Sequence, residues 1–259
     1  AALAALKIGA GLVTLAIPES LNAIMEVKLT EVMTNPVPDG GKGFFPMTCL
    51  QELRDFINDK DLLVIGPGLS QSKETMTLVR ELVMTAGKPL IIDADGINAF
   101  QGHTELFREI SSETLLTPHP GEFGRITGMT PQQINSDRIA SGKDFVEKYK
   151  VNLLLKGARS VLFTTDGQVF VNPTGNPALA KGGTGDILTG FVGGLIAQQY
   201  SIQEAAILAA YVHGYIADTW REESGNDMDF LASDLLNGIG KTLDVLKRGE
   251  ERIYIEQSL

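Results

Sequence analysis

The feature that most constrains the fold is a series of short apolar runs, each followed at once by glycine, proline or charged residues. Such runs occupy residues 62–65, 89–92, 114–116 and 151–155, and after residue 116 one threonine precedes the proline. Their length suits strands that are buried on both faces. Because helical stretches such as residues 73–85 separate these runs, the pattern predicts a mostly parallel sheet that is covered by helices on both faces.

Other segments complete this α/β pattern. Residues 12–17 predict a strand that Pro18 ends, whereas residues 34–47 predict a loop because they are rich in proline and other turn formers. An Asp-Gly turn between two apolar runs in the second half of the chain is typical of a β-hairpin. The hairpin strands are predicted at residues 161–165 and 168–171, and helices at residues 3–10, 21–29, 50–56, 186–198, 202–221 and 231–247.

Charge and composition limit the partners of the chain. Its 259 residues suit one large α/β domain, and its formal net charge of −10 comes with scattered basic residues. A nucleic-acid binder needs clustered Lys and Arg to displace counterions, so no nucleic-acid partner is expected. Cys49 is the only cysteine, which rules out an intrachain disulfide framework and fits the reducing cytoplasm. No apolar run is long enough to span a membrane.

The strongest chemical signal is the glycine-rich segment at residues 175–190, which contains Gly-Gly-Thr-Gly-Asp. Glycines let backbone N–H groups converge on an anion, and the following helix directs its positive end to the same point. A carboxylate there would repel phosphate, but it suits a general base that takes a proton from a hydroxyl. The alternative is that this carboxylate only caps the helix. The pattern predicts Asp186 as the base and, as anion-binding groups, Gly182, Gly183, Thr184 and Gly185.

A second segment, Thr-Pro-His-Pro-Gly-Glu at residues 117–122, directly follows a predicted strand. Its two prolines fix the chain and present His119 and Glu122 at the end of that strand. Glu122 is a candidate to orient a water bound to Mg²⁺, an ion that prefers oxygen ligands, and His119 is a candidate contact to substrate. The alternatives are a carboxylate that stabilises a helix N-terminus and a histidine satisfied within its turn.

Three weaker segments also follow predicted strands, where functional loops of open parallel sheets lie. Lys156 and the backbone amides of residues 156–160 are candidates to hold nucleotide phosphates, with a surface turn as the alternative. Residues 66–68, Gly-Pro-Gly, indicate little by themselves. Asp93 and Asp95 are candidates for binding substrate hydroxyls or a metal, or for capping a helix.

Together and in this order, the segments resemble the ADP- or ATP-dependent NAD(P)H-hydrate dehydratase family of the ribokinase-like superfamily. The resemblance covers nearly the whole chain, and the pairing of Thr-Pro-His-Pro-Gly-Glu with Gly-Asn-Pro and Gly-Gly-Thr-Gly-Asp is highly specific. It implies a ribokinase-like three-layer sandwich with a mostly parallel central sheet between helices. The matching segments are residues 9–13, 66–69, 93–95, 117–122, 156–158, 175–186, 213–214 and 232–234.

The resemblance also implies an activity. Members of this family repair NADH and NADPH whose nicotinamide ring has taken up water: the C6 hydroxyl is phosphorylated by a nucleotide, and phosphate is then eliminated. By resemblance, Asp186 deprotonates that hydroxyl and contacts the substrate together with Gly68 and His119. The nucleotide-binding residues implied in the same way are Gly185 and the run Lys156, Gly157, Ala158, Arg159 and Ser160.

The chain departs from the family pattern in three places. The family usually has an upstream Gly-rich strand and a loop ending in Gly-Ala that contacts the substrate. Because the sequence starts inside a predicted helix, we expect residues 1–259 to form a single domain that such an upstream segment completes. The family also often has glycine where this chain has Ser70 and Ala178.

The sequence alone does not distinguish ADP from ATP as the phosphoryl donor, although bacterial-type relatives tend to use ADP. Relatives are often tetramers, so we expect a homo-oligomer. An NAD(P)HX epimerase is an expected partner, either fused upstream or separate.

Two rival hypotheses stay open at this stage. The first is a hydroxyethylthiazole or hydroxymethylpyrimidine kinase, which resembles the same segments. Many thiazole-type kinases, however, carry Cys at the position of Asp186 and Asn at that of His119. The second is a non-catalytic nucleotide sensor, against which the presence of Asp186 and Glu122 argues.

Overall fold

The computed structural model describes residues 1–249. Helices and strands alternate through most of this range, as the apolar runs predict. The strands are β1 Thr14–Pro18, β2 Met33–Val37, β3 Leu63–Ile65, β4 Leu90–Ile92, β5 Thr114–Leu116, β6 Asn152–Leu155, β7 Val161–Phe163 and β8 Val169–Val171. The α-helices are α1 Ala2–Ile8, α2 Glu19–Lys28, α3 Leu50–Ile57, α4 Lys73–Thr85, α5 Asp95–Asn98, α6 Pro120–Thr127, α7 Pro131–Ser136, α8 Arg138–Tyr149, α9 Thr184–Ile196, α10 Ile202–Ser224 and α11 Ala232–Arg248.

Six strands form one sheet in the order β3-β4-β5-β6-β7-β8. The first four are parallel, and β7 and β8 form the predicted antiparallel hairpin. Carboxyl ends of parallel strands meet at the same edge of a sheet. Since β8 runs in the same direction as β6, its carboxyl end also lies at the edge where β3 to β6 end. The loops that follow these strands are therefore neighbours.

The sheet is buried on both faces, which confirms the predicted three layers. Consecutive residues of a strand point to opposite faces. Ile92, Leu116 and Leu153 accordingly lie in one core cluster with side chains of α3, α4 and α8. The residues next to them in the same strands are Ile91, Leu115 and Leu154. These three lie in a second core cluster, with side chains of α1, α9, α10 and α11. Each strand thus contributes to two cores.

Helix α9 fits between the sheet and α1 because it presents glycine to both. A Cβ built at Gly193 would lie 2.9 Å from Cγ2 of Val64 on β3. One built at Gly194 would lie 2.2 Å from Cγ2 of Ile8 on α1. A larger side chain at either place would push α9 away from its neighbours, so these glycines fix the depth at which α9 lies.

Two predictions for the first fifty residues were wrong in part. Residues 33–37, most of which were expected in a loop, form β2 and pair in parallel with β1. Pro36 lies in this strand, and proline is tolerated there because β2 is the outer member of a two-stranded sheet. The strand expected from residue 12 begins at Thr14, and Leu12 is exposed.

Within residues 1–249, no helix is long and apolar enough to cross a membrane. The expectation of a single domain that an upstream segment completes remains a prediction, and residues 250–259 lie outside the described part.

Candidate active site

The loops after β3, β4, β5 and β6 contact one another at the carboxyl edge of the sheet. The N–H of Asp93 donates to the carbonyl of Ile65, and the N–H of Lys156 donates to the carbonyl of Pro118 at 2.8 Å. A Cβ built at Gly66 would lie 1.6 Å from the carbonyl oxygen of Asp93, so only glycine allows these loops to approach so closely. These loops therefore pack against one another at the carboxyl ends of the strands, where the sequence places the candidate segments.

A buried ion pair lies at the centre of this edge. Nζ of Lys156 donates to Oδ1 of Asp93 at 2.7 Å, and Asp93 is 1% exposed. Thr189 of α9 donates its hydroxyl to the other oxygen, Oδ2, at 2.6 Å. Oε2 of Glu122 lies 4.0 Å from the same Nζ. Asp93 thus joins the loop after β6 to α9, and it does not cap α5, whose N-cap is Ala94.

Asp186 lies in the first turn of α9. The helix begins at Thr184 with Gly183 at its N-cap in the left-handed region, so the alternative that Asp186 is the N-cap is excluded. Burial is the main cause that raises the pKa of Asp186, and the negative charge of Asp93 adds to it while Lys156 opposes it. A half-buried carboxylate with a raised pKa is a stronger base than an exposed one.

The glycine-rich segment before α9 is held by side chains of α10. Asp218 accepts from the N–H of Gly175 and from Nδ2 of Asn176, both at 2.9 Å. The buried His213 lies with Nε2 at 2.9 Å from the carbonyl oxygen of Thr184. Burial lowers the pKa of His213 to about 4, so the ring is neutral and donates from Nε2.

Lys181 ties the same segment to the connection between α10 and α11. Its Nζ donates to the carbonyl of Phe230 at 2.6 Å and also to that of Met228. Gly182 and Gly183 follow it and are both exposed. A Cβ built at Gly185 would lie 3.1 Å from Nζ of Lys156, which puts the end of this segment next to the buried ion pair. The glycine-rich segment and the loop after β6 are therefore adjacent.

His119 and Glu122 form a capping box at the start of α6. Nδ1 of His119 accepts from the N–H of Gly121 at 2.9 Å, and Oε2 of Glu122 accepts from the N–H of His119 at 2.9 Å. Because Nδ1 is an acceptor, the ring proton is on Nε2, which lies 3.5 Å from Oε1 of Glu122. The His119 side chain is half exposed, and the Glu122 side chain is 9% exposed. The pair is fixed in position, and the imidazole edge remains accessible.

Gly68 lies in an exposed turn after β3 with φ +72°, and a Cβ there would meet open space. Ser70 follows with φ +73°, which explains why glycine is favoured at this departure from the family pattern. Ala178, the other departure, is buried in the short turn before Ala180. The turns at Ser70 and Ala178 thus form without the glycines that the family often has there.

Sequence reasoning did not predict the contacts that four residues make at this edge: Asp93, which was a candidate for other roles, His213, which was named only within a matching segment, Thr189 and Arg138. Arg138 begins α8 and donates to carbonyl groups of the loop after β6. All four act through contacts between parts of the chain that are distant in sequence, and no local pattern marks such contacts. A histidine within an apolar helical stretch was the one available signal, since a buried imidazole needs a hydrogen-bond partner.

The sheet order, the three layers and the loop cluster define a ribokinase-like protein. The structure of a ribokinase-like superfamily protein from Enterococcus faecalis V583 matches with a TM-score of 0.76. The match covers 94% of this chain and 80% of that one, at 24% identity. An identity this low supports the fold alone.

The chain belongs to the NAD(P)H-hydrate dehydratase family, whose sequence model matches residues 1–239. It is 40% identical over 253 residues to a bifunctional NAD(P)H-hydrate repair enzyme Nnr from Moorella thermoacetica, covering 98% of this chain and 48% of the relative. The ADP/ATP-dependent NAD(P)H-hydrate dehydratase from Bacillus subtilis, crystallised with ATP and Mg²⁺, is 28% identical with a TM-score of 0.79. That match covers 93% of this chain and 82% of the other. The chain spans about half the length of the curated repair enzymes it matches.

Proposed function

We propose that the protein dehydrates hydrated NADH and NADPH in a nucleotide-dependent reaction. The observation that carries the proposal is Asp186: a half-buried carboxylate with a raised pKa, directly after the Gly-Gly-Thr-Gly turn. This arrangement supplies a base for a substrate hydroxyl and amides for a phosphoryl group at one place. Membership of the family and the names of its relatives support the substrate.

The reaction proceeds in two stages. In the first, the oxygen of the C6 hydroxyl attacks the terminal phosphorus of the nucleotide while Asp186 takes the proton of that hydroxyl. The bond from that phosphorus to the bridging oxygen breaks, and the shortened nucleotide leaves. In the second, the lone pair of the adjacent ring nitrogen expels phosphate from C6, and transfer of the C5 proton to water restores the dihydropyridine. Phosphorylation is needed because hydroxide is a poor leaving group and phosphate is a good one.

The nucleotide is held by the loop of residues 156–160 and by the amides of Gly182 to Gly185, with Thr184 between them. Both segments are adjacent through the contact of Gly185 with Lys156. The charge of Lys156 is proposed to act on the phosphates from inside the loop cluster, although its pairing with Asp93 offsets part of that charge. His119 and Gly68 remain the proposed contacts to the hydrated dinucleotide, because both lie exposed at the same edge.

Glu122 is the proposed anchor for Mg²⁺. Within residues 1–249, no group of three or more His, Cys, Asp or Glu side chains is arranged to hold a metal alone. Mg²⁺ commonly keeps its waters and binds through one carboxylate together with substrate phosphates, and the fixed carboxylate of Glu122 fits that mode. When bound, the ion would neutralise charge on the phosphates.

The proposal extends to donor and assembly. ADP or ATP serves as donor, with ADP expected, and the Bacillus subtilis relative is named as dependent on either. The relatives of about twice this length are named bifunctional, which supports an NAD(P)HX epimerase as a fused or separate partner. A homotetramer is the proposed assembly.

The decisive experiment is to mix purified protein with Mg²⁺, hydrated NADH and either ADP or ATP, and to follow the return of dihydronicotinamide absorbance. Hydroxyethylthiazole and hydroxymethylpyrimidine are the matched alternative substrates. Nucleotide-dependent return of the absorbance supports the proposal. Phosphorylation of the thiazole or pyrimidine alcohol, with hydrated NADH left unchanged, would overturn it in favour of the kinase hypothesis.

A further inference from the structure

We propose that Arg138 is a positioning residue for the nucleotide, because it shapes residues 156–160 into an anion-binding loop from behind. The identity of the anion rests on the proposed function, whereas the shaping of the loop rests on the contacts of Arg138. Arg138 is the first residue of α8, and within residues 1–249 its hydrogen bonds go to backbone carbonyl groups at the end of β6 and in the loop that follows.

The guanidinium of Arg138 donates hydrogen bonds to the carbonyl oxygens of four of the five residues 155–159. Nη2 donates to Leu155 at 2.7 Å and to Lys156 at 3.1 Å. Nη1 donates to Ala158 at 2.7 Å and to Arg159 at 3.3 Å. A planar fork of fixed donors suits this task, whereas an ammonium group would reach fewer oxygens at once.

These bonds determine where the N–H groups of the loop point. In a trans peptide the carbonyl of one residue and the N–H of the next point in opposite directions. With the carbonyls of Lys156 and Arg159 turned toward Arg138, the N–H groups of Gly157 and Ser160 face away from it. Within residues 1–249, neither N–H donates a hydrogen bond. Both are therefore available to an anion at the open side of the loop.

The loop backbone is adapted to the presence of Arg138. Gly157 has φ +151°, and a Cβ there would lie 3.0 Å from Nη1 and 3.1 Å from Nη2 of Arg138. Glycine thus makes room for the guanidinium. Arg159 adopts φ +58°, a left-handed conformation that an unbranched side chain rarely takes without support. The cation behind the loop also adds to the field that an anion meets in front of it, because the polarised peptide groups lie between them.

The test compares ADP binding, measured by calorimetry in the presence of Mg²⁺, for the wild type, Arg138→Gln, Arg138→Lys and the control Arg54→Gln. Arg54 is likewise a hydrogen-bonded arginine, but its partners are the side chains of Thr85 and Glu81 on α4, away from the loop. We expect Arg138→Gln to weaken ADP binding by roughly 10- to 100-fold. The ADP affinity of Arg138→Lys should lie between those of Arg138→Gln and the wild type, and Arg54→Gln should bind ADP with wild-type affinity. The kcat at saturating nucleotide and the KM for hydrated NADH should stay within about threefold of wild type, because the reacting groups are untouched.

A general loss of structure would not produce that separation of nucleotide affinity from the other constants. Normal ADP affinity in Arg138→Gln, or an equal loss in kcat and in both affinities, would overturn the proposal. If Arg138→Gln does not fold, Arg138→Lys decides: it must lower ADP affinity with unchanged kcat, and wild-type affinity would contradict the proposal. A wild type that binds ADP but does not convert hydrated NADH would refute the proposed function, while the affinities of the Arg138 variants would still decide this inference.

Discussion

Nζ of Lys156 lies 2.7 Å from Oδ1 of Asp93, and this ion pair joins segments that are 63 residues apart in the chain. Asp93 is 1% exposed and Lys156 is 15% exposed, so water screens the pair weakly. The other oxygen of Asp93 accepts from Thr189 on α9, the helix that carries Asp186. One buried carboxylate therefore positions both the predicted nucleotide loop and the helix of the proposed base.

Removing the charge of Asp93 should destabilise the fold. Asp93→Asn leaves the buried ammonium group of Lys156 with the more distant carboxylate of Glu122, at 4.0 Å, as its remaining negative partner. Breaking a buried pair costs roughly 3–5 kcal/mol of unfolding free energy. Urea denaturation of the variant and the wild type measures this loss. The control is Asp59→Asn, which removes the exposed partner of Lys60 and should leave stability unchanged. Equal stability of Asp93→Asn and wild type would show that the pair contributes nothing.

His213 should make stability depend on pH. Its folded pKa is about 4, below its ordinary value of 6.5, so the unfolded chain binds a proton at pH values where the folded chain does not. Above pH 6.5 the neutral His213 causes no loss of stability. As pH falls from 6.5 toward about 4, protonation of the unfolded chain lowers the free energy of unfolding by about 3 kcal/mol in total.

The matched variant is His213→Gln, which keeps a donor for the carbonyl of Thr184 but does not titrate. Urea denaturation at about pH 7 and about pH 5 should show a larger loss of unfolding free energy in the wild type than in the variant. The two proteins have the same carboxylates, so titration of these groups contributes equally to both losses. An equal loss of unfolding free energy in both proteins would therefore exclude His213 as the cause of the pH dependence.

Glu122→Gln should separate metal binding from helix capping. Glutamine caps a helix in the same way as glutamate, so α6 should be retained, but the charge that attracts Mg²⁺ is lost. We expect the Mg²⁺ concentration at half-maximal rate to rise by roughly tenfold with little change in thermal stability. A magnesium titration of turnover measures this. An unchanged titration would assign Glu122 to the capping box alone.

The pH profile of turnover should reflect the environment of Asp186. Because burial raises its pKa above the ordinary 3.8, the ionised form that accepts a proton disappears at a higher pH than for an exposed aspartate. The kcat should therefore fall as pH decreases through this raised pKa, and recover when pH is raised again. A kcat that stays level down to the ordinary aspartate pKa would contradict the raised value.

The sequence predicts the central sheet and most of its helices because their signals are local. Buried parallel strands appear as short apolar runs, and the bounds of α4 and β5 agree with those expected. By contrast, β2 depends on pairing with β1, and its proline and turn-forming residues gave the opposite signal. The candidate segments follow strands, so their meeting at one edge was also predictable.

The contacts that hold those segments were not predictable in the same way. Asp93 and Thr189 are 96 residues apart, and neither residue type at its position indicates the other. Arg138 lies at the start of a helix among other polar residues, so its bonds to the proposed nucleotide loop have no counterpart in the sequence pattern. Such contacts depend on the three-dimensional packing of elements that the sequence describes one at a time.

Turnover of hydrated NADH by Asp186→Asn decides whether Asp186 is the catalytic base. Asparagine keeps the size of the side chain but does not accept the proton, so kcat should fall by roughly 10²- to 10⁴-fold. Nucleotide affinity should be retained or increased, because a negative charge beside the phosphates is removed. Near-normal kcat in this variant would contradict the account and leave the glycine-rich segment as an anion-binding site only.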